Sequence, residues 1–563
     1  MKKWVYLSKS KKSQLTDEEI IQVLLKNRGI ASKKEIEQFL KPADPYTLTA
    51  KDVGISTTEL NKALVRIKQA IIGKETVVVY ADYDADGITA GTIMWETLHK
   101  LGLKVFPYIP HRVEEGYGFS IKGIDAVKQT YNPQLIISVD HGITAAEKIA
   151  YAHSLGIEVI VTDHHVKPDQ LPRCPLVHTT NLCGAGVAWF LAFSLLKTTD
   201  LFTEVYRQEL LALVTMGTVA DMVPLAGASR SIVKYGIVAL NKTKRVGLLA
   251  LIADAGLEIG TIGTYEISHI LAPRLNAMGR LVHGLDALRL LCTNQKGKAE
   301  ELAHKLGLTN RERQIMTEET VLHAKDRVAA ELITSEKKKL LFVSHDEYNL
   351  GVIGLVAGKL VEAYYLPAIV VARGEQISKA SARSISGFNI IEAIRSNNEL
   401  LIDAGGHPMA AGFTVATEQL SLLQQKLEAF AAAKLTPELL ARTLKVDLEL
   451  PLEIVNLDLV AKIQILSPFG VGNPEPLFVT HNLEILETRL VGRDRKHLKL
   501  RLRPVGSLQK LSAVEAIGFN MGDLYEKIPS GTTIDAAYTI ENNFWNGQES
   551  LQLKLKDVLV NSN

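Results

Sequence analysis

The sequence predicts an α/β protein with a doubly wound, mostly parallel sheet, a long connecting helix, a second and smaller α/β lobe, and a C-terminal β-barrel. Three observations support this prediction. Continuous apolar runs such as TVVVYAD and LIISVDHG alternate with helical segments up to about residue 295, which is typical of parallel strands buried on both faces. Residues 296–335 are rich in Ala, Leu, Glu, Lys and Arg and therefore favour a long helix. After about residue 441 apolar and polar residues alternate strictly, which indicates short, half-buried strands.

The predicted elements follow in order along the chain. A short helical lead-in ends at the two prolines of KPADPY. The first lobe contains the apolar runs TVVVYAD, LKVFPYIP, LIISVDHG and IEVIVTDHH, joined by right-handed helical crossovers. The second lobe has strands at KLLFVSHD and AIVVARG, and the barrel has HLKLRLR and LQLKLKDV. The predicted boundaries are 1–49 for the lead-in, 50–295 for the first lobe, 296–335 for the helix, 336–440 for the second lobe and 441–563 for the barrel.

Composition narrows the class of protein. With 563 residues two to four domains are expected, and a net charge of +2 means that any surface for nucleic acid must be a local cluster of basic residues. The three cysteines lack CxxC spacing, which favours reduced thiols over a zinc site at Cys174, His178 and Cys183. No apolar run follows the basic N-terminus, and none approaches the ~20 residues that span a bilayer. The sequence therefore predicts a cytoplasmic protein with no membrane partner.

The stretch VVVYADYDADGIT contains the D-x-D-x-D-G pattern that opens an EF-hand calcium loop. Such a loop requires a bidentate Glu six residues after its glycine, and that position is Ile93. It also requires a preceding helix, whereas TVVVY is a predicted buried strand. The pattern is therefore not a calcium loop.

Acidic residues and histidines follow four apolar segments, interpreted as strands. Such positions meet at the carboxyl edge of an open α/β sheet, where ligands bind. So many carboxylates in a small space require cations, and carboxylates with imidazole suit Mn²⁺ or Mg²⁺. A single Asp is more simply a helix cap or turn residue, and this interpretation is kept for Asp86, which precedes Gly87. The residues at the four ends are Asp82, Asp84 and Asp86; Asp140; Asp163, His164 and His165; and Asp221.

The motifs DYDADG, SVDHG, TDHH and GTVADMVPL occur in this order, and on them the chain resembles the DHH phosphoesterase superfamily. GGHPMAAGF is similar to the mark of the DHHA1 domain that accompanies the catalytic lobe, and PHRVEEGYGFS and LAPRLNAMGRL also match. The resemblance runs from about residue 50 to the C-terminus. The branch of exonucleases specific for single-stranded DNA fits best, because pyrophosphatases and oligoribonuclease-like relatives carry His where this chain has Val78.

The resemblance implies two metal ions, Mn²⁺ or Mg²⁺. Such a pair activates water and neutralises charge on the phosphoryl oxygens of the substrate. By this resemblance Asp82 holds one ion, Asp84, His164 and Asp221 hold the other, Asp140 bridges both, and His165 faces the substrate phosphate.

An exonuclease also needs a site for the terminal phosphate. Arg suits this task because its planar guanidinium donates two parallel hydrogen bonds. A lone Arg is more commonly a surface ion pair, but the matching motifs favour Arg280 and Arg383, and Arg112 to a smaller degree. Asn276 orients water or a phosphate, or caps a turn. The candidates are Arg112, Arg274, Asn276, Arg280, Ser381 and Arg383.

In GGHPMAAGF, Gly405 and Gly406 permit a close approach of the backbone to a ligand, and His407 is placed to hydrogen-bond a phosphate. Pro408 and the alanines after it are predicted to open a helix whose N-terminus favours anions. The alternative is a tight strand–helix turn packed by small residues. The resemblance favours a substrate-binding loop.

The stretch RLVGRDRKHLKLRLR concentrates positive charge in a nearly neutral chain. It predicts an oligonucleotide-binding (OB) barrel that tracks single-stranded DNA, and the alternative is a solvated strand face. Candidates for base stacking are Phe544 and Trp545, or Tyr117 and Phe119 nearer the first lobe. The basic candidates are Arg493, Arg495, Lys496, Lys499 and Arg501.

The function implied by the resemblance is processive 5′→3′ degradation of single-stranded DNA to mononucleotides, in recombination and repair. It implies a single-stranded-DNA-binding protein and a helicase as partners, and we expect a monomer. One alternative applies the same chemistry to short oligoribonucleotides, cyclic dinucleotides or pyrophosphate, which the barrel and Val78 disfavour. The other is a non-catalytic DNA-binding scaffold, which the presence of every expected ligand disfavours.

Overall fold

The structure is a computed structural model. It describes residues 2–8, 15–112, 114–116, 118–334, 338–506, 513–545 and 548–561. The chain forms two compact units. The α/β unit comprises Asp44–Val223 and Tyr235–Ala441, and the barrel unit comprises Met1–Ala43, Pro224–Lys234 and Arg442–Asn563.

The strands are numbered in chain order. They are β1 (Lys3–Tyr6), β2 (Thr76–Ala81), β3 (Lys104–Tyr108), β4 (Leu135–Val139), β5 (Glu158–Asp163), β6 (Leu176–His178), β7 (Leu341–His345), β8 (Ala368–Ala372), β9 (Ile377–Arg383), β10 (Leu401–His407), β11 (Ala410–Ala416), β12 (Thr443–Val446), β13 (Leu448–Glu449), β14 (Phe478–Val491), β15 (His497–Pro504), β16 (Val514–Gly518), β17 (Thr533–Trp545) and β18 (Gln548–Val560).

The helices are numbered in the same way. They are α1 (Asp17–Asn27), α2 (Lys33–Leu40), α3 (Thr57–Gly73), α4 (Ala85–Lys100), α5 (Ile121–Tyr131), α6 (Ala146–Ser154), α7 (Gly184–Leu196), α8 (Glu204–Ala220), α9 (Gly227–Leu240), α10 (Val246–Asp254), α11 (Thr264–Glu266), α12 (Ala272–Leu281), α13 (Leu285–Cys292), α14 (Lys296–Thr334), α15 (Ile353–Tyr364), α16 (Ile390–Arg395), α17 (Leu420–Lys434), α18 (Pro437–Leu440) and α19 (Leu457–Ile463). A π-helical turn at Ile267–Leu271 joins α11 to α12.

The first sheet of the α/β unit confirms the predicted parallel architecture. Its strand order is β3-β2-β4-β5-β6, and every neighbouring pair is parallel. In β2 the side chains of Val77, Val78 and Val79 are all fully buried, as the continuous apolar run requires. Helices α5 and α6 cover the face that carries Val78 and Ile136, while α4 contacts β2 and α7 contacts β5. The carboxyl ends of β2, β4 and β5 therefore lie side by side at one edge.

The long helix and the second lobe also have the predicted character. Helix α14 runs for 39 residues. The second sheet has the order β10-β11-β9-β8-β7, with β7 and β8 parallel and the other pairs antiparallel. Helices α16 and α17 bury one face of this sheet around Phe413 and Val415.

One local prediction in this lobe is wrong. GGHPMAAGF does not open a helix: it forms the hairpin between β10 and β11, in which His407 pairs with Ala410 across the turn at Pro408. Gly406 has a φ of +137°, and a Cβ on it would lie 2.5 Å from the carbonyl oxygen of Ala410. Glycine is required there by the close approach of β11.

The barrel unit is built on a sheet with the order β13-β14-β15-β16-β18-β17, which the pairing of β14 with β17 closes. Leu498, Leu500 and Leu502 of β15 are buried in its core, as their alternation predicts. The N-terminal residues belong to this unit, since β1 pairs in parallel with β12 and Trp4 donates a hydrogen bond to Asp557. The sequence predicted them as a separate helical lead-in and did not indicate this strand. Within the described residues no helix has the length and hydropathy needed to cross a bilayer.

Candidate active site

The site is built at the carboxyl edge of the first sheet. Asp82 follows β2, Asp140 follows β4, and β5 ends at Asp163, directly before His164. Asp221 differs from the prediction because the apolar segment before it is the last part of helix α8 and not a strand. A wholly buried helix end and a buried strand give the same apolar run, so sequence alone did not separate them.

The side chains converge to within a few ångströms of one another. His164 Nε2 lies 3.2 Å from Asp140 Oδ1 and 3.7 Å from Asp221 Oδ2. Asp86 is also present, with its Oδ2 4.0 Å from His164 Nε2. Three groups have ligand atoms within 4.8 Å of one another: Asp82, Asp84 and Asp140; Asp140, His164 and His165; and Asp86, His164 and Asp221.

The pKa values of the clustered carboxylates indicate that the cluster favours bound cations. Burial, and then the neighbouring Asp84, raise the pKa of Asp82 well above its usual range. Burial followed by repulsion from Asp86 likewise raises the pKa of Asp140, and raises that of Asp221 to about 9. The buried Asp82 Oδ1 accepts no hydrogen bond from any described residue. Clustered carboxylates, one of which has an oxygen without a hydrogen bond from the described residues, are suited to divalent cations that prefer oxygen and imidazole ligands, such as Mn²⁺ and Mg²⁺.

The two histidines have different electrostatic environments. Burial lowers the pKa of His164, which favours the neutral imidazole that metal binding requires. For His165 burial acts in the same direction, but a 2.8 Å contact between its Nδ1 and Asp163 Oδ1 outweighs it and raises the pKa. Asp163 also accepts the backbone N–H groups of Ile143, His164 and His165. Asp163 therefore orients the DHH turn.

Asp84 and Asp86 both accept hydrogen bonds from the N-terminal N–H groups of helices. Asp84 is the N-cap of α4, where its Oδ1 accepts the N–H groups of Asp86 and Gly87 at 3.0 Å. Asp86 is buried and caps a different helix, α7, by accepting the N–H of Gly184 at 2.7 Å and of Ala185 at 2.9 Å. Asp86 therefore caps a helix, as predicted, but not the helix that begins in its own turn. Its partner lies about a hundred residues away and not in its own turn.

A group of arginines lies beside the carboxylates. Arg112 stacks over Tyr83 with its guanidinium 5.2 Å from the ring centre. Burial, and then repulsion from Arg112 and Arg313, lower the pKa of Arg280 to about 10, and its Nη1 donates to the carbonyl of Gly351 at 3.2 Å. Burial followed by repulsion from Arg112 also lowers the pKa of Arg383. The positive groups are thus held close together, which is an arrangement suited to an anion.

Arg313 of α14 is a member of this group that the sequence did not indicate. Its Nε is buried and has no hydrogen-bond partner among the described residues, and burial lowers its pKa. The surrounding NRERQ carries no motif and lies within the long helix predicted at 296–335. No local signal would have identified it.

The second lobe presents a polar face to which Ser381, Arg383 and His407 contribute. Register places Arg383, Ala410 and His407 in one row across β9, β11 and β10, and Ser381 pairs with Gly412 in the next row. Arg383 Nη1 donates to Ser381 Oγ at 3.2 Å. The predicted candidates Ser381, Arg383 and His407 therefore share one sheet face, opposite the buried core.

Comparison with known proteins identifies the family. Residues 76–218 match the DHH family, N-terminal domain; residues 337–433 match the DHHA1 domain; and residues 446–557 match the RecJ OB domain. The chain is 36% identical to the single-stranded-DNA-specific exonuclease RecJ of Bacillus subtilis (strain 168), with 98% of this chain and 69% of that protein covered. It is 30% identical to RecJ of Escherichia coli (strain K12), with 96% and 95% covered. The chain belongs to the RecJ family.

A RecJ crystal structure is similar throughout. RecJ from Thermus thermophilus, in complex with Mn²⁺, matches with a TM-score of 0.81 at 27% identity and covers 100% of this chain and 80% of that chain. The complex of that protein with Mg²⁺ matches with a TM-score of 0.73. The resemblance stated from the motifs and the predicted fold class are therefore confirmed.

Two predicted phosphate-binding residues of this RecJ-family chain have structural partners. Asn276 Oδ1 accepts the N–H of Ala85 at 2.6 Å, so it supports the loop that carries Asp84. Arg274 donates to the carbonyl of Ile270 at 2.8 Å and lies 3.7 Å from Asp254. These contacts favour positioning roles for both residues over direct phosphate contact.

The basic stretch of the RecJ OB domain is partly neutralised. Lys499 lies 2.9 Å from Glu515, and Lys496 lies 3.3 Å from Asp494. Arg501 pairs in register with Glu487 and Glu515 on the neighbouring strands. Arg493 and Arg495 are exposed in the turn between β14 and β15. The DNA-binding role of this stretch stays a prediction.

Of the four aromatic candidates for base stacking, the structure describes the side chain of Phe119 only. Phe119 is 2% exposed and packs against Tyr80 and His141, so it is not available for base stacking. Tyr117 and the side chains of Phe544 and Trp545 lie outside the described residues.

Proposed function

We propose that this chain is a metal-dependent exonuclease that hydrolyses single-stranded DNA from its 5′ end to mononucleotides, in recombination and repair. The observation that carries the proposal is the position of the arginine group beside the carboxylate cluster. Arg112 acts electrostatically on Asp82, and Arg280 acts on Asp84. A terminal phosphate bound by the arginines would bring the next phosphodiester to the carboxylates. Single-stranded DNA is named as the substrate of the RecJ relatives, and 5′→3′ polarity follows from membership of their family.

The metal ligands are part of the proposal. Asp82 would hold one Mn²⁺ or Mg²⁺ ion, with Asp140 shared between two ions. The second ion would be held by Asp84, His164 and Asp221. The Oδ2 atom of Asp84 is the oxygen not used in capping α4. When bound, such a pair of ions activates water and neutralises charge on the phosphoryl oxygens.

The protein side chains bind and orient the strand. His165, oriented by its contact with Asp163, is placed to donate a hydrogen bond to a phosphoryl oxygen of the substrate. Arg280, Arg383 and Ser381 would bind the terminal phosphate, with Arg112 closing the pocket from the loop after β3. His407, beside Gly406, is placed to contact the backbone of the strand. Because the guanidinium groups are already in place before the substrate arrives, they need no reorganisation as negative charge develops on the phosphate.

The remaining assignments complete the proposal. The barrel, including Arg493, Arg495, Lys496, Lys499 and Arg501, would bind the strand electrostatically. A monomer in the cytoplasm, working with a single-stranded-DNA-binding protein and a helicase, fits this activity. We propose a catalytic domain at 50–295, a connecting helix at 296–335, a DHHA1 domain at 336–440 and an OB domain at 441–563; most of the lead-in predicted at 1–49 belongs to the barrel unit.

Digestion of end-labelled nucleic acids tests the proposal. Single-stranded DNA, duplex DNA and short RNA, each labelled at the 5′ end, are incubated with the protein and Mn²⁺. We expect labelled mononucleotide from single-stranded DNA first and no comparable product from the other two. Intact single-stranded DNA would refute the proposal, and preferential cleavage of RNA would move the activity to the oligoribonuclease class.

A variant tests the bridging role of Asp140. Asp140→Ala should abolish hydrolysis and leave DNA binding intact, because the arginines and the barrel are unchanged. Asp125→Ala is the matched control, since Asp125 is an exposed carboxylate that accepts a hydrogen bond from Tyr151. Retained hydrolysis in Asp140→Ala would contradict the bridging role.

A further inference from the structure

The outer face of the barrel sheet at β15, β16 and β18 carries an exposed aromatic side chain. Phe519, directly after β16, is 46% exposed. Its ring meets His497 edge-on, with centroids 5.2 Å apart and an interplanar angle of 69°. The ammonium group of Lys554 lies 5.5 Å from the centre of the Phe519 ring. An aromatic ring flanked by a cation and left open to solvent is a surface on which another π-system can stack.

The turn that carries Phe519 is pinned in place. Asn520 N–H donates to His497 Nδ1 at 3.1 Å, and Gly522 N–H donates to the carbonyl of Lys496 at 3.0 Å. A Cβ on Gly518 would lie 2.7 Å from Met521 Sδ, so the turn is also tightly packed. The ring is therefore presented on a fixed support, and little side-chain entropy is lost when a ligand stacks on it.

Register shows which residues share this face. Lys499 of β15, Ile517 of β16 and Lys554 of β18 form one row across the three strands. His497 and Arg501 lie on the same side of β15 as Lys499, because side chains alternate along a strand. Phe519 and Ile517 thus form a short apolar stripe bordered by Lys499 and Lys554.

The charges select the class of ligand. The turn before β15 adds exposed Arg493, Arg495 and Lys496 beside His497. Glu515 and Glu541 partly neutralise Lys499 and Lys554, at 2.9 Å and 3.4 Å, so the face is basic without being a continuous cationic surface. The Phe519 ring stacks best on a flat partner, and the basic side chains around it bind regularly spaced anions. Single-stranded nucleic acid supplies both, because each nucleotide has one base and one phosphate.

We infer that Phe519 is a base-stacking platform for single-stranded DNA on the barrel, with Lys499 and Lys554 binding the phosphates on either side of the stacked base. This inference rests on the proposed function, since it assigns a contact to the proposed substrate. It differs from the sequence-based candidates Phe544, Trp545, Tyr117 and Phe119. AIGFNMGD contains no aromatic cluster, and only the fold brings His497 and Lys554 to this ring.

The test measures binding by the full-length protein in EDTA, which prevents hydrolysis, with a fluorescently labelled oligo-dT strand. Phe519→Ala should weaken binding about 5- to 150-fold, which is the usual range for loss of one base–aromatic stack. The slope of log affinity against log salt should not change in this variant, because no charge is removed. Lys499→Ala and Lys554→Ala should each make that slope shallower by about 0.7.

Conservative variants separate stacking from simple packing. Phe519→Trp should restore affinity, and its emission should be quenched on binding relative to the wild-type tryptophan background. Phe519→Leu should remain as weak as Phe519→Ala. Wild-type affinity in Phe519→Leu, or in Phe519→Ala with an unchanged melting temperature, would overturn the inference. Tyr265→Ala is the matched control, because Tyr265 is 60% exposed and stacks on His269 in the other unit.

The hydrolysis assay keeps this inference distinct from the proposed function. A 5′-phosphorylated trinucleotide should be cleaved equally by wild type and Phe519→Ala, whereas a long strand at low concentration should be cleaved more slowly by the variant. If wild type cleaves no single-stranded DNA, the proposed function fails. If wild type cleaves long strands and Phe519→Ala cleaves them equally well at every concentration, only the stacking platform fails.

Discussion

Adding one methyl group at Gly184 should damage the metal centre without altering any charged group. Gly184 is the first residue of α7, and a Cβ built on it would lie 2.3 Å from Asp140 Oδ1 and 2.5 Å from the Cβ and Cγ atoms of Asp140. Ordinary contacts between such atoms are about 3.5–4.0 Å. In Gly184→Ala, therefore, helix and carboxylate must separate by about 1 Å or more.

Neither partner has an easy way to move. Asp86 holds the N–H groups of Gly184 and Ala185, and Asp140 has a φ of +68° with its own N–H bonded to the carbonyl of Thr162 at 3.0 Å. The displacement must pass to the Asp140 carboxylate. A misplacement of about 1 Å in a catalytic group costs on the order of 10²-fold in rate, and overpacking costs about 1–3 kcal/mol of unfolding free energy.

Three measurements check this prediction: the initial rate on single-stranded DNA at saturating Mn²⁺, the Mn²⁺ affinity by titration calorimetry, and the melting temperature. Gly358→Ala in α15 is the matched control, because nothing lies within 4 Å of its added Cβ and alanine favours a helix interior. We expect a lower rate and a weaker Mn²⁺ affinity for Gly184→Ala only. A rate and Mn²⁺ affinity equal to those of wild type would show that the packing of α7 does not position Asp140.

Three further predictions follow from the site. Asp86→Asn should lower the rate of hydrolysis and the melting temperature, since one amide N–H would face a helix N–H at a cost of about 1–3 kcal/mol. Electron paramagnetic resonance should still count two bound Mn²⁺ ions in this variant, and a loss of one ion would make Asp86 a ligand. Arg313→Ala should raise KM about tenfold for 5′-phosphorylated strands and little for 5′-hydroxyl strands. Arg274→Ala, the control, should not change this preference for a 5′-phosphate. An equal increase of KM on both strands would contradict a phosphate-binding role of Arg313. Asp221, with a pKa raised to about 9 against about 3.9 when unfolded, makes the metal-free protein lose stability as pH rises from about 4 to about 9. Because Mn²⁺ displaces that proton, the rise in melting temperature on adding Mn²⁺ should be larger at pH 8.5 than at pH 6.5, and equal rises would be evidence against protonated ligands.

The sequence predicted those parts of the molecule whose signals are local. The buried run of β2 and the acids after it identified the sheet edge, because the carboxyl ends of parallel strands necessarily meet there. Asp82, Asp140 and His164 were placed correctly for this reason. The alternation of Leu498, Leu500 and Leu502 identified the barrel core in the same way.

The sequence could not predict contacts that depend on segments far apart in the chain. Arg313 joins the arginine group only because α14 returns past α12, and its neighbours in sequence give no indication of this. The β10–β11 hairpin was mistaken for a strand–helix turn because Pro408 and several alanines favour a helix start, whereas pairing of His407 with Ala410 decides the structure. Tertiary pairing overrides such short propensities.

The division of roles between Asp84 and Asp86 follows from where backbone donors lie. Asp84 stands at the start of α4, so one of its oxygens accepts N–H groups of its own helix and the other takes no part in that cap. Asp86 stands inside the first turn and points to the N-terminus of α7, whose N–H groups compensate its charge. Burial, and then repulsion from Asp86, raise the pKa of Asp84, Asp140 and Asp221. We therefore expect Asp86 to contribute to metal affinity through its electrostatic effect on these carboxylates and through its contact with α7, and not as a ligand.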